Sequence, residues 1–438
     1  MTVTTPGLTH ESIAETLAEA RDRTLLLVAT LSERDLRVQH DPLMSPILWD
    51  LGHIVAFEDL WLTENLDGVI RFAEMPGIFN PFEHPRRTRA SLPLPSLEDL
   101  RQEMQYVRQR VLGRLDRVDL ESDHPLLRDG YVYQMVAQHE YQHNETILQT
   151  LQLKTGEPYV PAVRIDAAAV ADAPAVQGSM VHVPAGVYPV GTADRAVAYD
   201  NERPRQGVQT PGFWIDRTPV TNAEYLAFVE GGGYARREYW TPEGWAWRED
   251  SGATAPKYWT RDGTAWSARF MDRTLPLPLD HPVIHICYHE ADAYARFAGK
   301  RLPTEQEWEI AASWDPAANE ARAYPWGSEP ATSDVANVDQ LRFGTTPVGS
   351  HPRNISPFGC VDMIGNVWEW TSTDFTAYPG FEAFPYPEYS EVFFGTEYKV
   401  LRGGSWATRP GAIRNTFRNW DYPIRRQIFA GVRCVRDD

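Results

Sequence analysis

"YVYQMVAQHEYQHNETILQTLQLKTG", residues 131–156, decides how the first part of the chain folds. Its apolar residues recur at helical spacing, and it closes on Gly156 with Pro158 just beyond, the usual stop signals of a helix. Three upstream stretches read the same way. One spans Glu11 to Leu31. A second opens at Ser45-Pro46, with Ser as cap and Pro at the first helical position, and runs through "ILWDLGHIVAFEDLWLTENL". The third lies near 96–117, where Ser96-Leu97-Glu98-Asp99 resembles a capping box. Four amphipathic helices of this length predict an all-α four-helix bundle over residues 1–160.

After it the grammar changes. Residues 161–178 (PAVRIDAAAVADAPAVQG) lack periodicity and read as a linker. From 179 to 438, short strand-like runs such as MVHVPAGVYPVG, GFWIDRTPV and AGVRCVR alternate with Gly, Pro and Asp, and short helices intervene (TNAEYLAFVE, EADAYARFAGK, TEQEWEIAASW). This pattern predicts an α+β domain rich in loops. At 438 residues, more than one domain is expected. The net charge of −18 argues against nucleic acid or an anionic membrane as partner, leaving small molecules. No apolar run is long enough to span a bilayer, and the N-terminus shows no basic-then-apolar signal. Cys287, Cys360 and Cys434 are far apart and odd in number, which fits a reducing cytoplasm better than a disulfide framework. Nothing in the sequence specifies an oligomeric state.

Inside the fourth helix, His139-Glu140-Tyr141-Gln142-His143 is an HExxH motif. Positions i and i+4 share a helix face, so His139 and His143 can reach one ion, although such a pair can also be satisfied locally. Gln142 lies beside them and makes that stripe polar where a bundle core should be apolar. On the second helix His53 has Trp49, Ala56, Phe57 and Leu60 as helical neighbours, so it faces the core as a third imidazole. Three neutral imidazoles with open positions suit Zn(II) hydrolysis or Fe(II) oxygen chemistry, and the histidines alone do not separate the two. A zinc hydrolase using the HEYQH helix lacks its usual further ligands: the extended pattern wants Gly at 146 and His at 149, which are Thr146 and Gln149, and Glu157 lies beyond Gly156. A non-enzymatic alternative is a binding domain fused to a degenerate bundle.

The phrases "RLPTEQEWEIAA" (301–312), "YPWG" (324–327), "GNVWEW" (365–370), "VLRGGSW" (400–406) and "AGVRCVR" (430–436) occur in this order. Together they resemble the formylglycine-generating-enzyme, or sulfatase-modifying-factor, family, whose fold is a C-type-lectin-like α+β domain. The first half resembles the DinB-like four-helix bundles that bind metal through three histidines. The combination is similar to the iron-dependent sulfoxide synthases of ergothioneine biosynthesis. The cysteines that generate formylglycine fall here near Thr408 and Ile413, so thiol-based chemistry of that kind is not expected.

The resemblance implies an oxidoreductase that uses Fe(II) and O2 to join γ-glutamylcysteine to Nα-trimethylhistidine (hercynine) as a sulfoxide. It implies His53, His139 and His143 as metal ligands. It points to Arg86 and Arg89 in "HPRRTR" as the clamp for the thiol's carboxylates, with Asp421 for its amine. The arginine pair favours this doubly carboxylated thiol over free cysteine. Asn419 and Trp420 in "RNWDY", with Gln142, are assigned to hercynine, whose quaternary ammonium needs aromatic faces and carboxylates. Tyr378 in "TAYPGF" is assigned as the proton donor, a role a phenol can fill without ionising. Glu140 projects about 100° from His139 around the helix, so it is expected to support the bundle.

Overall fold

In a computed structural model the described residues are 8–67, 77–164 and 178–438. They form two compact units. The first takes the described residues up to Ala162 together with Asp194–Tyr199 and Phe384–Pro387, and the second takes the rest. Residues 165–177, most of the expected linker, lie outside the described residues.

The first unit contains α1 (His10–Val28), α2 (Glu33–Arg37), α3 (Ile47–Asp59), α4 (Leu97–Leu115) and α5 (Tyr131–Leu153). The sequence explains most of the boundaries. Ser96 Oγ accepts from Asp99 N at 3.1 Å while Asp99 Oδ2 accepts from Ser96 N at 3.2 Å, which satisfies two otherwise orphaned amides at the start of α4. Thr9 and Ser12 do the same for α1. The expected cap of α3 is different. Pro46 occupies the cap position with no side-chain hydrogen bond. The Ser45 hydroxyl instead accepts from Arg89 Nη1 at 2.7 Å, because a buried guanidinium has greater need of it than a helix end next to a proline. α3 continues as a π-helical turn, Leu60–Glu64, and a short 3-10 turn, Asn65–Asp67. α5 packs on α1 and α3, and α3 packs on α4.

A charged network lies within this helical core. Arg21 donates to Glu58 at 2.7 Å and to Glu140 at 2.8 Å, Arg108 donates to Glu58 at 2.7 Å, and the Thr24 hydroxyl donates to Glu140 at 2.7 Å. Arg21, Glu58 and Glu140 are all buried. The opposed charges hold Glu58 below the usual carboxylate range and Arg21 above its own, against the cost of burial in each case.

The second unit is α+β. Its strands are β1 (Met180–Val183), β2 (Gly186–Val190), β3 (Gln206–Thr210), β4 (Phe213–Asp216), β5 (Trp259–Asp262), β6 (Ala265–Phe270), β7 (Arg273–Pro276), β8 (Trp314–Asp315), β9 (Glu320–Ala321), β10 (Trp368–Asp374), β11 (Lys399–Arg402), β12 (Asn419–Asp421), β13 (Ala430–Gly431) and β14 (Val435–Asp437). The helices are α6 (Asn222–Glu230), α7 (Pro242–Ser251), α8 (Tyr288–Phe297) and α9 (Glu305–Ser313). One sheet has the order β1-β4-β14, another β12-β11-β10-β13 and a third β5-β6-β7, while β2 pairs with β3 and β8 with β9.

The recurrent phrases meet one another in this core. Arg402 of "RGGSW" reaches Glu309 of "EQEWE" at 2.5 Å. Arg418 reaches Glu305 at 2.8 Å, and Arg433 of "GVRC" reaches Glu369 of "VWEW" at 3.0 Å. Trp308 Nε1 also donates to Glu369 at 2.6 Å. Buried charges of this kind persist only when paired and hydrogen-bonded, which ties these distant phrases together. Gly403 has a φ of 94°, and a Cβ there would lie 2.7 Å from the Met363 carbonyl, so the turn after Arg402 admits only glycine.

His285 makes this unit acid-sensitive. It is 2% exposed, has a left-handed φ of 64°, and donates through Nδ1 to the Arg426 carbonyl at 3.2 Å. Burial pulls its pKa down to about 3. Below pH about 6.5 the unfolded chain binds a proton here that the folded chain refuses, so stability falls as pH drops through that window. Between pH 7 and pH 5 the His285 share is about 2 kcal/mol. His285→Asn, whose side chain tolerates left-handed backbone, is expected to flatten the pH dependence of urea-unfolding free energy by that amount. An unchanged slope would refute the assignment.

Candidate active site

The three histidines meet. His53 on α3 and His139 and His143 on α5 present ligand atoms that all lie within 4.8 Å of one another, and they form the one such cluster among the described residues. His53 Nδ1 donates to the Phe79 carbonyl at 2.9 Å, which leaves Nε2 as a bare acceptor. His139 Nε2 stands 3.2 Å from His53 Nε2. Two nitrogens held by one ion at about 2.1 Å would be about 3.0 Å apart at a right angle and about 3.4 Å at a tetrahedral one. The His53–His139 spacing therefore fits a shared ion of either geometry. Burial first, and then the neighbouring His143, holds His53 and His139 well below the usual histidine pKa, so both are neutral and ready to ligate. The donor set fits a metal ion with open positions.

Aromatic rings hold these imidazoles in place. Trp49 stacks on His53 with centroids 5.0 Å apart, and Phe57 stacks on His139 at 3.7 Å. Tyr386 stacks on Trp61 at 5.0 Å and meets Phe57 edge-on. Gly52, next to His53, faces Phe79 so closely that a Cβ would lie 2.0 Å from its ring. On α5, His143 Nδ1 lies 3.3 Å from a carboxylate oxygen of the buried Asp50. Glu140 points elsewhere, into the network with Arg21 and Thr24, and so is not placed as a base beside the histidines.

Other expected residues fall into two groups. In the first unit, "HPRRTR" forms a 3-10 helix, Arg86–Ser91. Arg89 is buried, lies 3.4 Å over the Trp49 ring and donates to Ser45 and to the His84 carbonyl. It makes no ion pair among the described residues. Burial and then the charge of Arg86 lower its pKa to about 9, so it remains a cation at neutral pH. Arg86 donates to the Leu43 carbonyl at 3.1 Å. Gln142 donates to the Tyr199 hydroxyl at 3.4 Å.

In the second unit, Tyr378 is 4% exposed, with its hydroxyl 3.5 Å from Glu305 and the Arg418 guanidinium 4.2 Å over its ring. Burial and then the Glu305 charge raise its phenol well above the usual range. Trp420 stacks on Phe375 at 4.1 Å with Phe393 and Tyr389 beside it. Asn419 Oδ1 accepts from Trp420 N at 2.9 Å, and Asp421 accepts from Tyr422 N at 2.8 Å and lies 3.3 Å from Arg425 Nε. Thr408 and Ile413 are buried, and all three cysteines are buried free thiols.

Sequence reasoning missed Asp50, Tyr199 and Tyr386. Asp50 had a local signal, an acid three residues before His53 on one helix face. The two tyrosines had none, because they arrive on segments remote in sequence.

Comparisons with known proteins match both halves of the chain. Residues 16–147 match the DinB superfamily, and residues 166–438 match the sulfatase-modifying factor enzyme 1-like domain. A hercynine oxygenase of Mycolicibacterium thermoresistibile is 45% identical, over 97% of this chain and 94% of its own. One from Mycobacterium tuberculosis is 44% identical, over 98% of this chain and 99% of its own. The formylglycine-generating enzyme of Mus musculus is 30% identical, over 59% of this chain and 75% of its own. No helix among the described residues is long and apolar enough to cross a membrane. With both halves matched and nearly full-length identity above 40%, the chain belongs to the hercynine oxygenase family and is an oxidoreductase.

Proposed function

We propose that this protein is the Fe(II)- and O2-dependent sulfoxide synthase of ergothioneine biosynthesis, joining γ-glutamylcysteine to hercynine at imidazole C2 to give γ-glutamyl-hercynylcysteine S-oxide. The observation that carries the reading is the cluster of three imidazoles, the buried His53 and His139 with the half-buried His143, in a chain of this family. The reaction balances without another reductant. The S–H and C2–H bonds break, one C–S bond forms, one oxygen atom goes to sulfur and the other leaves as water. Iron, when bound, supplies the electron transfer to O2 that such chemistry needs.

The remaining roles are those the family resemblance implies, and the character of the side chains supports them. Arg89, with Arg86 three residues before it in the helix turn after Pro85, offers cationic charge to the thiol substrate's carboxylates, and the absence of an ion pair at Arg89 among the described residues supports this. Asp421 takes the amine. The aromatic cluster around Trp420 suits a quaternary ammonium, which has no N–H to donate. Asn419 and the Gln142 amide are assigned to polar groups of hercynine. Tyr378 stays protonated across the physiological range and so can donate. The free thiols fit a cytoplasmic protein. A hydrolase reading would need Glu140 as base, and that carboxylate is bound by Arg21.

Anaerobically purified protein loaded with Fe(II) should consume O2 with both substrates and release their sulfoxide conjugate, identified by mass. Uptake with the thiol alone to give a sulfinate would overturn the substrate assignment. Tyr378→Phe should lower conjugate formation by about 10²–10³-fold with iron content unchanged; activity within threefold of the parent would remove Tyr378 from the mechanism.

A further inference from the structure

We infer that Asp50 is a positioning residue for the metal centre: its carboxylate holds the Nδ1 edge of His143, turns Nε2 toward the ion and offsets part of the ion's charge. This rests on the reading that the three histidines hold a metal.

Asp50 lies one helical turn before His53 on α3. It is 1% exposed, with Oδ1 3.3 Å from His143 Nδ1. Its other oxygen, Oδ2, is buried and has no hydrogen-bond partner among the described residues. Nor does any lysine or arginine there come within ion-pair distance of it. Arg89, the cation whose field it feels, is occupied by Ser45, the His84 carbonyl and the Trp49 ring. A buried carboxylate with no cationic partner is expensive. A cation on the far side of His143 would repay that cost.

The histidines also differ in what orients them. His53 has the Phe79 carbonyl on its Nδ1. For His143 the corresponding neighbour is Asp50, within ion-pair distance but off the line of a hydrogen bond. Carboxylate–histidine–metal relays of this form fix the tautomer and raise the basicity of the ligand. The competing account is that Asp50 merely complements the dipole at the start of α3. That account predicts an effect on the metal-free fold and none on the metal.

The test uses the full chain with Asp50→Asn, Asp50→Leu and His143→Ala. Metal affinity is measured anaerobically with Fe(II) against a competing chelator, and melting temperature is measured without and with Fe(II). Asp50→Leu is expected to bind iron about 10–100-fold more weakly than the parent. Asp50→Asn, which keeps an acceptor but no charge, should fall between them. The metal-free melting temperature of Asp50→Leu should be no lower than the parent's, while its gain on loading shrinks. Iron binding within twofold of the parent in both variants overturns the inference. So does a lower metal-free melting temperature with an undiminished gain. Should Asp50→Leu not fold, the near-isosteric Asp50→Asn gives the same comparison. A parent that takes up no iron, with His143→Ala indistinguishable from it, overturns the metal reading itself and this inference with it.

Discussion

Arg21→Leu is expected to destabilise the bundle by about 3–5 kcal/mol, because it strands a buried carboxylate. With Arg21 gone, Glu58 keeps Arg108 at 2.7 Å, but Glu140 is left with the Thr24 hydroxyl and an Arg108 nitrogen 3.9 Å away. Both carboxylates are nearly fully buried, at 0% and 2% exposure, so water cannot take over the lost contact. The second substitution Glu140→Leu removes the stranded charge and should restore most of the loss, a coupling that a double-mutant cycle in urea isolates. A cost below about 1 kcal/mol for Arg21→Leu would mean that the network is incidental. The double variant also bears on chemistry. It lacks the HExxH glutamate, and conjugate formation that survives in it would separate this helix from the hydrolases it resembles in sequence, which need that glutamate as base.

His139→Ala should abolish conjugate formation and lower iron affinity by more than 100-fold, since loss of a ligand exceeds the ~10–100-fold effect of losing a ligand's own partner. The ring fills space between Phe57 and His53, so alanine also leaves a cavity. His139→Gln fills more of that space and serves as the control. Loss of iron in both variants, with the metal-free melting temperature preserved in the glutamine form, identifies a ligand. Iron retained in a folded His139→Gln protein would exclude His139 from the centre.

Much of this was legible before any coordinates. Capping residues such as Ser96 and Asp99 are local signals, and the i, i+4 spacing of His139 and His143 needs only helical periodicity. His53 was legible from its apolar neighbours. Tyr378, Asn419, Trp420 and Asp421 were not: each sits in a loop or a short strand, where spacing carries no direction, and only the family phrases singled them out. The fate of Glu140 was partly legible. Its angle on the helix separates it from the histidines, but its partner Arg21 lies far back in the chain, and no local rule pairs the two. The π-helical turn after α3 has no breaker residue to announce it. Ser45 misled because a good cap residue was taken by a buried arginine instead.

The first unit is not a continuous piece of chain. Tyr199 and Tyr386 reach it from stretches synthesised well after its helices, and Tyr386 then stacks on Trp61. A ribosome therefore releases α1 to α5 long before the last residues of their unit exist. The bundle must wait, incompletely covered, for most of the polypeptide to emerge. Nor can a single cut in the gene lend this unit to another protein, since a fragment ending at residue 162 leaves two of its aromatic plugs behind.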